Sequence, residues 1–379
     1  MTAPRAGRSV LAFNVGSASL KAAHYVLPLE AADVPAMPQE TGRVSIEAGH
    51  DAVPSAAPAQ LAALLARLPE ARKAPDVVLH RIVHGGEREA PTALTPAELT
   101  ALESLSVLAP LHQPPALALV RATAERWPRA EQIGVYDTAW HRTMPERHRL
   151  LPLPYPLFAQ GVQRYGFHGL AFQSAMRQLA GLAPDRCRGR VVLAHLGGGS
   201  SLCAVRDGRC VNTTMGMTPL DGIPMATRPG SLDPGVVLYL QRNLGMPADD
   251  LDRLLWRESG LSGLSGESGD MHRLLASPSP GAQRAVEVYV TRVAQGIAAM
   301  AACIGGIELL AFSGGIGRHA AEIRSRVAAE LEWLGVALDP ALNREGVAEV
   351  SSATATVRTF VLAVDEEREM ALAYAARTP

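Results

Sequence analysis

No G-x-x-x-x-G-K-[ST] loop, protein-kinase catalytic loop or G-x-S-x-G elbow occurs in this chain, which excludes the commonest P-loop and serine-hydrolase readings. Cysteine is scarce too. Cys187, Cys203, Cys210 and Cys303 show no C-x-x-C or C-x-x-x-C spacing, so neither a disulfide nor a zinc site is expected and a reducing compartment fits. Charged residues make up only 19% of the chain and the net charge is −1, so composition gives no ground for binding nucleic acid or an anionic membrane. Long apolar runs are lacking as well. The stretch Gly296 to Gly317 carries one charge, Glu308, and is long enough to span a bilayer. Gly305-Gly306 splits it, predicting a helix that ends near Ile304 and then a buried strand, Ile307 to Phe312. Arg5 and Arg8 lead only into Val10 to Phe13 before Asn14 interrupts, too short a run for a secretory signal. A soluble, cytoplasmic protein is expected.

What is present is a duplication. VLAFNVGSASLKAAHY (Val10 to Tyr25) and VVLAHLGGGSSLCAVRDG (Val191 to Gly208) each read as an apolar strand, a polar stop, a Gly/Ser turn and a returning strand. Asn14 matches His195, Gly16 matches Gly197 and Ser19 matches Ser200, an offset of about 180 residues. Successive N–H groups and Ser hydroxyls in such turns make a concave anion site, and a pair of them would hold the phosphates of a nucleotide. With 379 residues, 47% of them hydrophobic, the chain has material for two domains.

Between the copies, residues 28–58 form a Pro- and Ala-rich excursion in which only Arg43 to Ala48 reads as a strand. A helix (59–68), a strand (77–86), helices at 96–105 and 116–127 and a strand (133–140) follow, an α/β alternation. The proline-rich bridge Leu151 to Gln160 marks the expected boundary: a first domain over 1–150, completed by the C-terminal helix 366–379, and a second over 151–365. The second half carries its own hairpin, the polar loop Asn212 to Gly235, the strand 307–312 and a helix from Ala320 to Leu334. Ile323, Val327, Leu331 and Leu334 keep a helical period there. A last strand, Thr359 to Val364, runs into Asp365-Glu366-Glu367.

Several polar residues sit where chemistry is plausible. Arg81 in HRIVHGGE needs an anionic partner if buried, and two readings are open, a structural carboxylate or a ligand. Asp137 in VYDTAWH lies near a strand's carboxyl end, where α/β proteins bind ligands, or else caps a helix. His112 is fixed between prolines in APLHQPP, with a structural role as the alternative. RYGFHG presents His168 between an aromatic residue and a glycine. Arg228 is the only cation of the loop Asn212 to Gly235, whose length suggests function, either reaching into a cleft or solvated. AFSGGIGRHAAEIR offers a strand, a glycine turn and a helix start. Together these residues suit phosphoryl transfer, which needs charge neutralisation and alignment more than a covalent nucleophile.

The motifs HRIVHGGE, APLHQPP, VYDTAWHRTMP, RYGFHG, HLGGGSS, TPLDGIPMATRPGSLDPG and GGIG, running from NVGSASLK to VDEE, resemble those of the acetate kinase family. The resemblance implies an α/β, duplicated actin/sugar-kinase/Hsp70-type (ribonuclease H-like) fold of two domains with a central cleft, and a homodimer formed through the second domain. It implies acetate and ATP as substrates and acetyl phosphate as product. Mg²⁺ would be held by Asn14 and Glu366, with Mn²⁺ an alternative. Arg81 would bind the carboxylate or acyl phosphate, Arg228 and His168 would stabilise the transferring group, Asp137 would orient the metal or act as acid/base, and His112 would assist. Val83, Leu111, Phe167 and Pro219 match the acyl-methyl pocket. Lys21, Ser17 and Ser19, His195, Leu196, Gly197, Gly198 and Gly199, Asp270, Met271 and His272, and Gly315, Ile316, Gly317, Arg318 and His319 match the nucleotide site. Gly198 replaces the family's usual Asn, Arg318-His319 replaces Glu-Asn, His272 replaces Arg, Leu170-Ala171-Phe172 replaces Thr-Ser-His and Ser231 replaces Asp. These changes cluster on the donor side and leave GTP and pyrophosphate open beside ATP, as the small pocket leaves propionate and butyrate open. A catalytically silent nucleotide-binding paralogue is the reading from another class.

Overall fold

The computed structural model describes residues 7–16, 19–28, 37–47 and 54–377; Ser17 lies outside them. The chain forms two compact units, Met1–Trp140 with Asp365–Pro379, and His141–Val364. The first division thus falls after Trp140, upstream of the proline-rich bridge rather than within it.

The first unit is built on a 6-stranded sheet of order β3-β2-β1-β4-β6-β5. Its strands are β1 (Gly7–Val15), β2 (Ser19–Pro28), β3 (Gln39–Glu47), β4 (Val77–Ile82), β5 (Thr92–Ala93) and β6 (Glu131–Tyr136). β1, β2 and β3 run antiparallel in turn, whereas β4 is parallel to β1 and β6 parallel to β4. Every residue of β4 is buried, as expected of a strand covered on both faces. Side chains alternate across the sheet. Leu11, Phe13, Val78 and Ile82 join one core with Leu61, Leu64, Leu117 and Val120 from the helices Ala57–Ala66 and Gln113–Arg126. Asn14 and Arg81 fall in the opposite phase. Because Phe13 pairs with His80, these two are level on adjacent parallel strands, and the C-terminal helix Glu366–Ala375 packs on β1, β2 and β4.

The second unit has a 5-stranded sheet, order β11-β10-β7-β8-β9, from β7 (Arg190–Leu196), β8 (Ser200–Arg206), β9 (Arg209–Thr213), β10 (Leu309–Ser313) and β11 (Arg358–Val361). β7, β8 and β9 are antiparallel in turn, and β10 is parallel to β7 and to β11. This repeats the order and directions of β3-β2-β1-β4-β6. The repeat is imperfect at the turns. Val15 pairs with Leu20, but Leu196 pairs with Ser200. Ser200 is therefore paired within its own hairpin, whereas its sequence match Ser19 precedes the first β1–β2 pair and pairs with Glu47 of β3.

The helix Pro280–Ile304 shows why its ends fall where they do. Ser279 accepts a hydrogen bond from the Ala282 N–H, proline opens the first turn, and Gly305 closes the helix at φ 76. Its buried face, Tyr289, Val293, Ile297, Met300 and Ile304, keeps a helical period. Gly305 breaks the apolar stretch as expected, and among the described residues no helix is long and apolar enough to cross a membrane.

Some expected elements are shorter. The strand expected over 77–86 stops at Ile82, and that over 133–140 stops at Tyr136, where the 3₁₀ turn Asp137–Thr143 takes over. The helix expected to Leu334 is Ala321–Ala329 followed by the 3₁₀ turn Glu332–Leu334. After β10, the expected glycine turn is itself helical, Gly314–His319. Arg324 closes that segment. Almost fully buried, it donates from Nη1 to the carbonyls of Gly317 (2.9 Å) and Arg318 (2.8 Å), from Nη2 to that of Asn343 (2.6 Å), and from Nε to Asn343 Oδ1 (2.7 Å). Arg324→Met should destabilise the protein by at least about 1.5–3 kcal/mol, the worth of one hydrogen bond to a charged group. A urea melt resolves such a change, and an unshifted midpoint would remove Arg324 from the stability of this segment.

Candidate active site

In the first unit the register of β1 and β4 brings Asn14 and Arg81 together. Arg81 Nη2 lies 2.6 Å from Asp137 Oδ2, and Nη1 donates to Asn14 Oδ1 (3.0 Å) and Glu366 Oε2 (3.1 Å). Asn14 Nδ2 donates to Glu366 Oε2 (2.8 Å) and Glu367 Oε1 (2.6 Å). Asp137 is fully buried at the first turn after β6, so both readings of Arg81 meet here: its resting partner is a carboxylate, and it stands among polar groups rather than in apolar core. Burial alone would lower the Arg81 pKa, but Asp137 and Glu366 outweigh it and hold the guanidinium charged.

The carboxylates exceed the cations at hand. Burial, and then the neighbouring Glu366, push the Glu367 carboxyl pKa above its ordinary value. Arg43 on β3 braces this end of the helix from outside, donating to Glu367 Oε2 and Asp365 Oδ2, each at 2.6 Å. Carboxylate and amide oxygens in an acid-rich, partly buried setting are the donor set of a hard divalent cation, and Asn14 and Glu366 fit such an ion. Glu367 and Arg43 were missed in the sequence. The acidic run 365–367 was a signal for the first; the second, on a peripheral strand, had none.

Lys21 and Ser19 belong to this unit too, Lys21 directly opposite Asn14 in the β1–β2 ladder, whereas the expected nucleotide residues from His195 onward belong to the second. His112 is buried at the N-cap position of the helix Gln113–Arg126. Of the expected acyl pocket, Val83 and Leu111 lie in the first unit, and Phe167 and Pro219 in the second.

In the second unit, His168 precedes the helix Gly169–Leu182 in the left-handed region, φ 59, one of two non-glycine residues so placed among those described. Strain of this kind costs about 1–3 kcal/mol and collects at functional sites. Its Nδ1 lies 2.8 Å from Ser201 Oγ, and its ring centroid 4.8 Å from that of His195. Arg228 is buried, not solvated. Its Nη1 donates to the Pro219 carbonyl at 3.1 Å, and among the described residues it has no carboxylate partner. Burial lowers its pKa to about 10. A Cβ at Gly199 would sit 2.9 Å from Arg228 Nη2 and 3.1 Å from His168 Nε2, so a larger residue there would displace the arginine and histidine tips that converge on the turn.

The second glycine segment adjoins the first. Gly314, at φ 78, passes so close to Leu196 that a Cβ there would stand 2.4 Å from its carbonyl, whereas a Cβ on Gly315 would meet nothing. Loop 197–199 and the start of Gly314–His319 thus share one wall with backbone exposed, and Arg318 and His319 are exposed at its far end. Leu196 and Met271 are core residues instead. Asp270 caps the helix Met271–Ala276, accepting from the His272 N–H at 2.8 Å. The substituted Leu170, Ala171 and Phe172 are buried, and Ser231 donates to Asp221 Oδ1 at 2.6 Å inside the long loop. All four cysteines are free, and Cys187, Cys203 and Cys210 are buried; Cys203 and Cys210 meet beside His141, through strand pairing that no sequence spacing reveals.

A sequence profile described as the acetokinase family matches residues 9–372. The acetate kinase of Methylocella silvestris is 46% identical over 289 residues, 76% of this chain and 72% of that protein. The acetate kinase of Nitrobacter hamburgensis is 42% identical over 299 residues, 79% of this chain and 74% of that protein. Among solved structures, Porphyromonas gingivalis acetate kinase superposes with a TM-score of 0.78 at 30% identity, covering 96% of this chain and 98% of that one. A propionate kinase from Francisella tularensis gives 0.82 at 29% identity, covering 97% and 98%. With the repeated sheet, these matches identify the duplicated actin-like α/β fold, and the chain belongs to the acetokinase family.

Proposed function

We propose that this protein is an acetate kinase, catalysing reversible, Mg²⁺-dependent transfer of the ATP γ-phosphoryl group to acetate. The observation that carries this reading is Arg228, a buried cation without a carboxylate partner among the described residues, converging with His168 on a glycine turn. A site of that kind suits an anion that gathers charge as it reacts. An acetate oxygen attacks the γ-phosphorus in line; the new C–O–P linkage forms as the bond to the bridging oxygen breaks, and ADP leaves with that oxygen. Arg228 and His168 donate to the equatorial oxygens, while Arg81 orients the acetate carboxylate beside Asp137. Asn14 and Glu366 would hold the divalent metal, which would supply charge neutralisation at the donor phosphates. No covalent enzyme intermediate is needed.

Relatives named acetate kinase support acetate as the acceptor, and the likeness to a propionate kinase keeps propionate as the second reading. Exposed Leu232, Val236, Leu238, Tyr239 and Leu244, in and around the helix Pro234–Arg242, support a homodimer through the second unit. A cytoplasmic location accords with the chemistry of the substrates. The test is a hydroxamate assay of acetate, propionate and butyrate against ATP, GTP and pyrophosphate. Acetate with ATP should give the highest kcat/KM. Calorimetric ATP binding with no acyl phosphate from any of the acids would replace this reading with that of a silent nucleotide-binding paralogue.

A further inference from the structure

The phosphoryl transfer makes no use of three side chains that converge in the core of the second unit. Cys203 Sγ lies 3.4 Å from Cys210 Sγ, and His141 Nδ1 lies 3.2 Å from Cys210 Sγ. All three ligand atoms lie within 4.8 Å of one another, and none of the residues is more than 1% exposed. Strand pairing explains the meeting. The β8–β9 ladder shifts register between Ala204 and Val205, pairing Ala204 with Asn212 but Val205 with Cys210. Val211 is thus the extra residue of a bulge, and without it Cys210 would face away from Cys203.

The histidine is preset for ligation. Its Nε2 lies 2.8 Å from the Phe167 carbonyl, which can only accept, so the proton sits on Nε2 and Nδ1 turns a lone pair toward the sulfurs. A ring N–H fixed by a backbone carbonyl is the usual second shell of a metal-binding imidazole. A tetrahedral zinc ion, with bonds of about 2.3 Å to sulfur and about 2.0 Å to nitrogen, separates its ligands by about 3.5–3.8 Å. The Cys203–Cys210 and His141–Cys210 spacings need open by only a few tenths of an ångström.

We propose that His141, Cys203 and Cys210 form a binding site for a thiophilic d¹⁰ cation, zinc(II) or copper(I), with three protein ligands. Soft thiolates select ions of this class over Mg²⁺. As each metal–sulfur bond forms, an S–H bond breaks and its proton leaves to solvent, so two protons are released and nothing is oxidised. Because both thiols must lose their protons to ligate, uptake strengthens as pH rises. The bound ion would join the β8–β9 hairpin to His141, and through the Phe167 carbonyl would steady the segment that ends in His168.

The test uses the full chain, reduced and stripped with a chelator, then equilibrated with Cd²⁺ as a spectroscopic stand-in for Zn²⁺, or anaerobically with Cu(I) buffered by bicinchoninate. The expected result is one ion per chain, a thiolate-to-cadmium ultraviolet band of two-thiolate intensity, release of two protons and a raised melting midpoint. Carboxylate-bound Cd²⁺ gives no such band. The band should survive C187A/C303A and vanish in C203A/C210A; C210S, which keeps a donor toward His141 Nδ1, should fold and lose the two-thiolate intensity. The proposal is overturned if neither ion binds the folded wild type, if the band persists in C203A/C210A, or if mass spectrometry finds Cys203 and Cys210 joined as a disulfide.

Discussion

Arg228→Ala should lower the turnover of acetyl phosphate formation by on the order of 10³, the scale of an arginine that stabilises a transferring phosphoryl group, while the protein stays folded. The two halves of that statement share one cause. Arg228 is 4% exposed, and burial lowers its pKa to about 10 with no carboxylate among the described residues to offset the cost. A cation held that way destabilises the resting protein, and the developing charge of the reaction is what compensates it. Arg228→Met, which keeps much of the side-chain volume, should therefore lose the same activity yet unfold at an equal or higher denaturant midpoint. Such opposition of stability and activity is typical of functional groups. Steady-state kinetics beside urea melts decide the matter. A variant that turns over normally would take Arg228 out of the reaction, and one that loses several kcal/mol of stability would make it a structural residue.

The fold was legible because the patterns that specify it are local. Apolar strands, Gly/Ser turns, and the serine and glycine caps of Pro280–Ile304 can be read over a few residues. The duplicated hairpin held as a repeated strand order, although the two turns differ in length. What could not be read depends on pairing between distant segments. The bulge at Val211 reverses one strand's faces and creates the His141–Cys203–Cys210 cluster from cysteines whose spacing suggested nothing. Arg43 reaches Asp365 and Glu367 across more than 320 positions of sequence. Met271 sits in a motif expected to bind nucleotide, yet a helix cap at Asp270 turns it into the core.

Arg81→Ala should be both inactive and unstable, and here the structure separates two arginines that look alike in sequence. Arg81 is 8% and Asp137 0% exposed in their side chains, and their closest approach is 2.6 Å. Truncating Arg81 removes the guanidinium from the buried carboxylate of Asp137, and breaking a buried pair from one side costs about 3–5 kcal/mol. Neutralising that buried carboxylate should then return part of the loss. Arg81→Ala/Asp137→Asn should unfold at a higher urea concentration than Arg81→Ala alone, with a coupling of about 0.5–3 kcal/mol between the sites, while turnover stays down by on the order of 10³. Arg81→Lys refines the argument, because a single ammonium cannot reproduce the planar fork that reaches Asp137, Asn14 and Glu366 together. It should recover part of the stability and little of the activity. If Arg81→Ala instead melts like the wild type, the pair contributes nothing to folding, and any lost activity must come from the substrate side alone. If Lys restores turnover, charge rather than geometry is what the acetate carboxylate requires at this position.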